Sequence, residues 1–368
     1  MKTTSIRKKS LARHALCAGI AFTFLLAAGQ ARAEVGESFT EGIFRYTILS
    51  EDVPNGSGTV SVVSVPEAEV IGEIVIPPTV SSGEATYTVT QIGLDAFSWR
   101  TMMTSLSIPD TVTEIETWAL NYCTGLESIV IPDSVTRIGD SSFYYTSTAT
   151  NLVIGANVTH IGNSAFSGCM NLPSVKIPDS VLTIGPFAFN FCSSMESLEI
   201  GSGLTHITQG AFSYATSLRS LVIPDTVISI GDRAFLDAES LHYLLVGENV
   251  ASIDSNAFAG NMLSTAYFKG EAPEIGETVF KEYTLLFYME GKAGWTTPTW
   301  NGYNTAVWIP LLEPTLTYRI RDGKLILTYT GNRLEESTNL RHWFEVDTSG
   351  EYETEIYKKG FRFYRAAM

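Results

Sequence analysis

Ile108-Pro-Asp-Thr-Val-Thr-Glu-Ile115 decides the fold, because this stretch returns five times at a constant step of 23 residues. The later copies are Ile131-Pro-Asp-Ser-Val-Thr-Arg-Ile138, Ile154-Gly-Ala-Asn-Val-Thr-His-Ile161, Ile177-Pro-Asp-Ser-Val-Leu-Thr-Ile184, Ile200-Gly-Ser-Gly-Leu-Thr-His-Ile207 and Ile223-Pro-Asp-Thr-Val-Ile-Ser-Ile230. A degenerate copy at Ile76 and a shortened one at Val246 bring the total to about eight. One such coil cannot bury its apolar side chains alone, so neighbouring coils must stack. The sequence therefore predicts a repeat solenoid over residues 76–268.

Each unit contains one strand signal and one turn signal. In Leu126-Glu-Ser-Ile-Val-Ile131 the apolar side chains take the two-residue period of a strand with one buried face. Pro132 follows and can end the strand ladder without loss, because proline has no N–H. The segment Gly185–Phe189 predicts a tight turn or a short 3₁₀ piece on the opposite face. The fold is therefore expected to be mostly β, with the strands of successive coils about 4.8 Å apart in a parallel sheet.

The full unit resembles the BspA-like leucine-rich repeat. It reads L-x-S-[IVL]-x-I-P-[DE]-[ST]-V-x-x-I-G-x-x-A-F-x-x-C, as in Leu172 to Cys192, and it covers about residues 70–268. The resemblance implies a right-handed arc with parallel strands on the concave face and short turns or 3₁₀ segments opposite. Members of this family are often surface proteins that engage host or neighbouring-cell molecules. The resemblance therefore implies binding or adhesion.

Flanking regions are predicted at both ends of the array. Residues 34–75 alternate like strands and are expected to form an N-terminal β cap over the first coil. Residues 269–310 resemble the terminal cap of such arrays, with Trp308 closing it. Residues 311–368 are expected to form a small antiparallel β domain. The pattern of this domain resembles a C-terminal module of exported proteins from bacteria related to Verrucomicrobia.

Residues 1–33 have the features of a secretory signal peptide. Basic residues precede the apolar run Ala15–Ala28, and Ala31-Arg-Ala33 fits a cleavage site, so the mature chain is expected to begin at Glu34. The alternative is a membrane anchor, but crossing a bilayer takes about 20 apolar residues and this run is shorter. No later stretch is apolar enough for a transmembrane segment. The chain is therefore expected to be exported, and to be secreted or held at the cell surface.

Removal of the signal peptide leaves a strongly acidic chain. It takes away six Lys and Arg residues and no acid, which changes the formal net charge from −15 to −21. Such a field repels nucleic acid and anionic lipid, and it favours solubility or cationic partners. Nucleic acid is therefore not expected as a partner.

The sequence contains no recognisable catalytic, cofactor or metal motif. It lacks G-x-S-x-G, H-E-x-x-H, a phosphate loop and a Gly-rich dinucleotide turn. His160 and His206 share one repeat position two coils apart, about 10 Å, which is too far to bind one metal ion together. An aspartate follows each repeat proline, where an Asx turn explains it better than catalysis does. These aspartates are Asp110, Asp133, Asp179 and Asp225. The chain is predicted not to be an enzyme and to need no cofactor.

Three cysteines share one repeat position that small residues fill in other coils, which indicates a buried column. They are Cys123, Cys169 and Cys192. Cys169 and Cys192 lie on adjacent coils about 5 Å apart, a spacing that permits but does not require a disulfide. Three cysteines leave at least one unpaired.

The outward positions of the strands are the remaining candidate site. One outward column is mostly serine, which a hydroxyl ladder along the sheet explains. The next column varies between coils, as positions that determine specificity would. Its members near the C-terminal coils, with three neighbours, form the candidate ligand-binding patch. The patch consists of Lys176, Glu199, Arg219, Val222, His242, Tyr243 and Leu245.

Three classes of function fit these observations. The first is a secreted or cell-surface binding or adhesion module that holds a protein or glycan ligand on its concave face. The second is a structural envelope protein without a specific ligand, attached through its C-terminal β domain. The third is a carbohydrate-active enzyme that uses two of its many carboxylates. The sequence favours the first, because the regular columns have structural explanations and only the variable patch remains for recognition.

Overall fold

The computed structural model describes residues 34–52, 54–64 and 70–308, and the backbone of six strands between residues 316 and 367. The signal peptide predicted for residues 1–33 lies outside these residues. Within the described ranges the chain forms no helix, and so none that could span a membrane. The chain is a mostly β solenoid of about nine turns with parallel strands, as the repeats predicted.

Six strands precede the regular coils. They are β1 (Ser38–Glu41), β2 (Phe44–Asp52), β3 (Ser57–Ser64), β4 (Gly72–Val75), β5 (Thr79–Ser82) and β6 (Ala85–Ile92). β1, β2 and β3 pair antiparallel, and β3 then pairs parallel with β6. The buried rings of Tyr46 and Tyr87 each lie 5.6 Å from the ring of Phe39. β1, β2, β3, β5 and β6 therefore belong to one sheet with the coils that follow and have an aromatic core of their own, whereas β4 pairs with the first longer strand of the coils.

Each regular coil contributes one longer strand and one two-residue strand. In chain order these are β7 (Met103–Ser107), β8 (Glu114–Ile115), β9 (Ser128–Val130), β10 (Arg137–Ile138), β11 (Asn151–Val153), β12 (His160–Ile161), β13 (Ser174–Lys176), β14 (Thr183–Ile184), β15 (Ser197–Glu199), β16 (His206–Ile207), β17 (Ser220–Val222), β18 (Ser229–Ile230), β19 (Tyr243–Val246), β20 (Ser252–Ile253), β21 (Thr265–Phe268) and β22 (Glu274–Ile275). The register follows the repeat, with Ser174 opposite Ser197 and His160 opposite Thr183. We call the stack of longer strands the strand face.

The two-residue strands were not predicted. They fall on the second half of the V-x-x-I motif, as in Val158 to Ile161, where the two buried residues stand three positions apart. That spacing hides the two-residue period by which a strand is recognised in a sequence. The two-residue strands therefore form a second parallel stack in two sections, β8–β10–β12–β14 and β16–β18–β20–β22.

The strand face continues beyond the repeat boundary predicted at residue 268. Three more strands follow, β23 (Leu285–Met289), β24 (Thr299–Trp300) and β25 (Tyr303–Trp308). β17, β19, β21, β23 and β25 are successive neighbours in one sheet, and β24 pairs antiparallel with β25 at its end. The residues from 269 to 308, predicted as a cap, therefore add further parallel strands to the array.

A ladder of seven phenylalanine rings runs through the core. Successive rings are stacked nearly parallel with centroids 5.1–5.5 Å apart. The ladder consists of Phe143, Phe166, Phe189, Phe212, Phe235, Phe258 and Phe280. Offset stacks of this kind add about 0.5–1.5 kcal/mol per pair to the stabilisation from burial. The phenylalanine ladder is therefore a major source of cohesion between coils.

Backbone hydrogen bonds join the turn sides of the coils. Phe166 N donates to Ala188 O at 2.7 Å, and Phe189 N donates to Ala211 O at 2.8 Å. The predicted choice between tight turns and 3₁₀ pieces is resolved in favour of turns, since no 3₁₀ helix occurs among the described residues. The turn side is thus held coil to coil by hydrogen bonds, as the strand face is.

The alternation of proline and glycine after the strands has a steric reason. A Cβ on Gly155 would lie 2.3 Å from Pro132 O, and a Cβ on Gly201 would lie 2.4 Å from Pro178 O. Real Cβ atoms do not approach a carbonyl oxygen so closely, so only glycine fits. Each glycine coil therefore packs its backbone directly on the proline of the coil before it.

The aspartates after the prolines strengthen the same pairing of coils. Asp133 Oδ1 accepts a hydrogen bond of 2.6 Å from Ala156 N, and Asp179 Oδ1 accepts one of 2.7 Å from Ser202 N. For Asp133, Asp179 and Asp225 the expected Asx turn is thus corrected to a hydrogen bond with the next coil. The donor is free because it follows the glycine, where the strand ladder has ended. These three aspartates are structural.

The cysteine column is buried and its thiols are free, so the structure contains no disulfide between Cys169 and Cys192. Equivalent side chains on stacked coils project in the same direction, whereas a disulfide needs two Cβ atoms that face each other. Each thiol instead points at a carbonyl oxygen of the preceding coil, Cys169 Sγ to Phe143 O at 3.4 Å and Cys192 Sγ to Phe166 O at 3.5 Å. Burial raises the pKa of Cys192 to about 12.

The described part of the C-terminal region comprises six strands in two sheets. They are β26 (Leu316–Arg321), β27 (Lys324–Tyr329), β28 (Arg333–Ser337), β29 (Phe344–Asp347), β30 (Glu351–Glu355) and β31 (Phe363–Ala367). One sheet has the order β26–β27–β30 and the other β29–β28–β31, and all pairings are antiparallel. The antiparallel β structure agrees with the prediction for residues 311–368. The resemblance of this region to verrucomicrobial modules stays a prediction.

Candidate functional site

The strand face presents alternate side chains outward. In β15, Ser197 and Glu199 are exposed and Leu198 is buried, and β19 follows the same rule with Tyr243 outward and Leu244 inward. The longer strands that pair do so in register, as β13 does with β15 and β17 with β19, so the outward side chains of those coils form straight columns. A ligand on this face would meet those columns.

Lys176 and Glu199 form the charged end of the predicted patch. They are opposite each other on β13 and β15, and Lys176 Nζ lies 2.9 Å from Glu199 Oε2. The hydrogen bond to Glu199 is the main cause of the raised pKa of Lys176. Both side chains are exposed, so this ion pair contributes little stability, and its partners are available to a ligand.

Arg219 and His242 lie just before β17 and β19, at the margin of the strand face. His242 N donates to Arg219 O at 3.1 Å, which places the two residues on adjacent coils. Arg219 Nη2 is 3.5 Å from Glu196 Oε2, and His242 Nδ1 is 3.1 Å from Ser240 O. The structure therefore brings these two predicted residues together at one edge of the patch.

Val222, Tyr243 and Leu245 form the apolar half of the patch. Val222 is opposite Leu245, and Ser220 is opposite Tyr243. Val222 is 52% exposed and Tyr243 is 38% exposed. The side chains are apolar and face outward, so the core does not require them.

The same columns continue into residues that the sequence analysis missed. Leu245 is opposite Tyr267, and Tyr267 is opposite Phe287. The rings of Tyr267 and Phe287 are stacked with centroids 5.2 Å apart, and Trp308 meets Tyr267 edge-on at 5.3 Å. Tyr243 completes the cluster at 5.6 Å from Tyr267. We call Val222, Tyr243, Leu245, Tyr267, Phe287 and Trp308 the aromatic stripe.

Phe287 and Trp308 were missed because residues beyond 268 were assigned to a cap, and Tyr267 was missed because it follows a shortened step. The sequence does contain a signal: Thr265-Ala-Tyr-Phe268 and Leu285-Leu-Phe-Tyr-Met289 have strand-like composition close to the repeat spacing. The step between equivalent positions shortens, from 23 residues to 22 at Leu245/Tyr267 and to 20 at Tyr267/Phe287. A search for a fixed period loses the column at that point.

Burial acts on a tyrosine of the stripe, and two lysines that follow the strands are paired with carboxylates. Burial, followed by the nearby Tyr267, raises the pKa of Tyr243. The phenol is therefore neutral across the physiological range and serves as a hydrogen-bond donor. Lys269 and Lys292 each form an ion pair of 2.8 Å, with Asp225 and Glu248 respectively.

Side chains that could hold a metal ion do not cluster. Within the described ranges no three His, Cys, Asp or Glu residues lie together as a metal site would need. His160 Nδ1 is 2.7 Å from Thr159 Oγ1, and His206 Nδ1 is 2.8 Å from Thr205 Oγ1. Both histidines belong to the second stack of strands and have local partners.

Comparison with known proteins identifies the family. The family model for the BspA type leucine rich repeat region matches six copies, over residues 79–181 and 159–287, which is more than half of the 368 residues. The chain belongs to this BspA type family. The resemblance noted in the repeats is thereby confirmed. No curated protein matches the BspA type chain in sequence.

Two solved structures are similar to this BspA type protein. A leucine-rich repeat protein from Bacteroides ovatus is 25% identical, with a TM-score of 0.55, over 68% of this chain and 70% of that one. A leucine rich cell surface protein from Faecalibacterium prausnitzii is 24% identical, with a TM-score of 0.53, over 70% of this chain and 76% of that one. The second likeness bears on the fold alone.

Proposed function

We propose that this chain is an exported, non-enzymatic binding module, secreted or held at the cell surface, that engages a protein or glycan ligand through the aromatic stripe and the charged patch beside it. The observation that carries the proposal is the stripe itself. In the earlier coils the outward positions are Ser or Asn in one column and Ser, Val, Lys or Glu in the next, whereas from Val222 onward this second column is apolar or aromatic in every successive coil, with Val222, Leu245, Tyr267 and Phe287. Exposed apolar surface of this extent in a soluble protein is typical of an interaction site.

A protein ligand fits the composition of the patch best. Tyr, Trp and Arg are the residues most enriched among those that dominate protein interfaces, and the patch contains Tyr243, Tyr267, Trp308 and Arg219. The aromatic rings contact one another, so they are held in place before a ligand arrives and lose little conformational freedom on binding. The stripe spans β17 to β25, about 20 Å along the stack, which is enough for an extended peptide or a loop.

The test is a binding screen of the purified chain against extracellular matrix proteins, cell-surface proteins and glycans, followed by variants. Tyr243→Ser copies Ser220 and Ser197 at the same position of other coils, so it preserves the strand. Tyr243→Ser combined with Tyr267→Ser should weaken binding of the selected ligand at least tenfold, through loss of about 1.4 kcal/mol or more.

Val130→Ser combined with Val153→Ser is the matched control. These two residues are exposed in the same outward column, toward the N-terminal end of the stack. The control should bind as the unchanged chain does. Failure of every ligand class to bind would favour the structural envelope role, and equal binding by stripe and control variants would refute the site.

Export and localisation have a separate test. Amino-terminal sequencing of the protein recovered from culture medium and from surface-shaved cells should begin at Glu34. Recovery of the intact protein with Met1 from the cytoplasmic fraction would contradict export.

A further inference from the structure

The turn side of the coils has two backbone corners with positive φ, four residues apart. The first corner is occupied by Asp95, Trp118, Ser141, Ser164, Phe187, Gly210, Arg233, Asn256 and Thr278. The second is occupied by Trp99, Tyr122, Tyr145, Gly168, Phe191, Tyr214, Asp237 and Gly260. Glycine, asparagine and aspartate suit this left-handed conformation, whereas a bulky side chain raises its free energy. At several corners an aromatic residue therefore occupies a backbone conformation that is unfavourable for it.

The first coils concentrate these aromatic corners into one surface. Trp99 and Tyr122 are stacked with centroids 4.0 Å apart at 5°, and Tyr122 and Tyr145 are stacked at 5.3 Å. Tyr144 contacts Tyr122 at 5.5 Å, nearly edge-on. Trp118 occupies the other corner of the turn that contains Tyr122. We call these five residues the turn-face aromatic strip.

The two tryptophans of the strip are exposed, and Trp99 is stacked on Tyr122. Trp99 is 55% exposed and Trp118 is 47% exposed. Within the described residues the only ring close to Trp99 is that of Tyr122, so much of the indole is accessible. Exposed tryptophans that the core does not need are characteristic of binding surfaces.

Three acidic residues occupy positions next to the strip in the same turns. Asp95 occupies the corner equivalent to Trp118 on the preceding coil, and Glu116 stands two residues before Trp118. Trp118 N donates to Asp140 O at 2.9 Å, which places Asp140 on the adjoining coil. The basic residues nearby are Arg100, whose Nη1 donates to Ser98 O, and Arg137, which pairs with Glu114 at 3.1 Å. The chain as a whole has 39 acidic and 24 basic residues.

We propose that the turn-face aromatic strip binds a basic polypeptide segment of a partner protein, with Lys or Arg side chains placed over Trp99 and Trp118. A cation is attracted to the face of an aromatic ring, and tryptophan is the strongest of the three ring types. The carboxylates of Asp95 and Glu116 supply the complementary charge. This surface lies in the turns of the first coils and shares no residue with the aromatic stripe, so it would act in addition to the proposed function.

The repeat provides substitutions that test the strip without disturbing the fold. Trp118→Ser installs the residue found at the same corner in Ser141 and Ser164, and Trp99→Gly installs the residue found in Gly168 and Gly260. The control is Phe187→Ser, an exposed aromatic at the same corner on a later coil. Circular dichroism and thermal unfolding verify that each variant is folded.

The probe is a synthetic peptide of alternating Lys, Arg, Gly and Ser, titrated by calorimetry into the full chain. The expected result is binding that weakens as salt is raised, and a loss of affinity of about tenfold or more in the Trp99→Gly/Trp118→Ser double variant. Glu116→Gln should lower affinity and flatten the salt dependence, whereas Phe187→Ser should bind as the unchanged chain does.

Three results would overturn the proposal. The first is equal peptide affinity in the tryptophan double variant and in Phe187→Ser. The second is equal binding of the matched Glu/Asp peptide, which would remove the role of charge. The third is saturable binding of a neutral oligosaccharide to the strip with no binding of the basic peptide, which would assign the surface to glycans.

Discussion

The phenylalanine ladder makes a quantitative prediction, because its members differ in the number of rings that they contact. Phe212 is stacked between Phe189 at 5.5 Å and Phe235 at 5.4 Å. Phe143 has one partner in the ladder, Phe166 at 5.2 Å, because Leu120 occupies the ladder position of the preceding coil. Leucine at 120 also shows that a coil of this geometry accepts leucine there. The informative comparison is therefore Phe212→Leu against Phe143→Leu.

The expected difference follows from stacking alone. Both phenylalanines are fully buried, so the two substitutions remove similar apolar surface and leave similar space. Phe212→Leu loses two stacked contacts and Phe143→Leu loses one. The free energy of unfolding should therefore fall by about 0.5–1.5 kcal/mol more for Phe212→Leu than for Phe143→Leu. Phe212→Ala adds a large cavity and should cost about 3–5 kcal/mol.

Urea unfolding followed by circular dichroism measures these differences, and a double-mutant cycle isolates the stacking contribution. Phe189→Leu combined with Phe212→Leu should show a coupling energy of about 0.5–1.5 kcal/mol. Phe166 and Phe258 do not touch, so the losses of unfolding free energy from Phe166→Leu and Phe258→Leu should be additive in the double variant. Equal losses for Phe212→Leu and Phe143→Leu, with no coupling between neighbours, would refute the ladder as a source of cohesion.

Three further changes test other contacts. Gly201→Ala should lower the free energy of unfolding by about 1–3 kcal/mol in urea titration, because the added Cβ would lie 2.4 Å from Pro178 O. An unchanged midpoint would contradict this account of the proline and glycine alternation. Lys269 lowers the pKa of Asp225, so this carboxylate stabilises the fold above its unfolded pKa, and the contribution is lost as pH falls through its folded pKa. Asp225→Asn should therefore lose less Tm than the unchanged chain between about pH 5 and about pH 3. An identical dependence of Tm on pH in the two proteins would exclude the ion pair of Lys269 and Asp225 as a source of acid sensitivity. Burial raises the pKa of Cys192 to about 12, so this thiol should resist a thiol reagent in the native chain and react after unfolding. If the linked peptides that contain Cys169 and Cys192 had a mass two hydrogens lower than the sum of the free peptides, the disulfide would be reinstated.

The regular part of the fold was predictable because one geometry is repeated. A constant step of 23 residues determines the stacking, the strand face and the buried columns without knowledge of any single contact. What the sequence did not show were interactions between coils. The aspartate at 133 suits an Asx turn in its own coil, and only the stacked structure shows its bond to Ala156 N. The two-residue strands were not predicted for a similar reason, because they are defined by pairing with neighbouring coils.

The candidate site was predictable only as far as the period held. Val222, Tyr243 and Leu245 occupy repeat positions and were found, whereas Tyr267 and Phe287 follow shortened steps and were not. The register of a parallel sheet depends on backbone hydrogen bonds, so a coil can lose residues from its turn side and still present its strand in line. A column of side chains therefore continues on the strand face after the sequence period has ended.

The aromatic stripe is not needed to hold the fold together. Partly exposed aromatic side chains on the outward side of a sheet favour aggregation, and stability does not require them, because Leu244, Ala266 and Leu286 already fill the inward positions. Serine at position 220 shows that a polar outward residue is compatible with the same strand geometry. The aromatic stripe favours aggregation, could be replaced by polar residues and adds nothing to the core. Selection for contact with another molecule explains it best. The same reasoning applies to Trp99 and Trp118 at left-handed corners where Gly and Ser serve elsewhere.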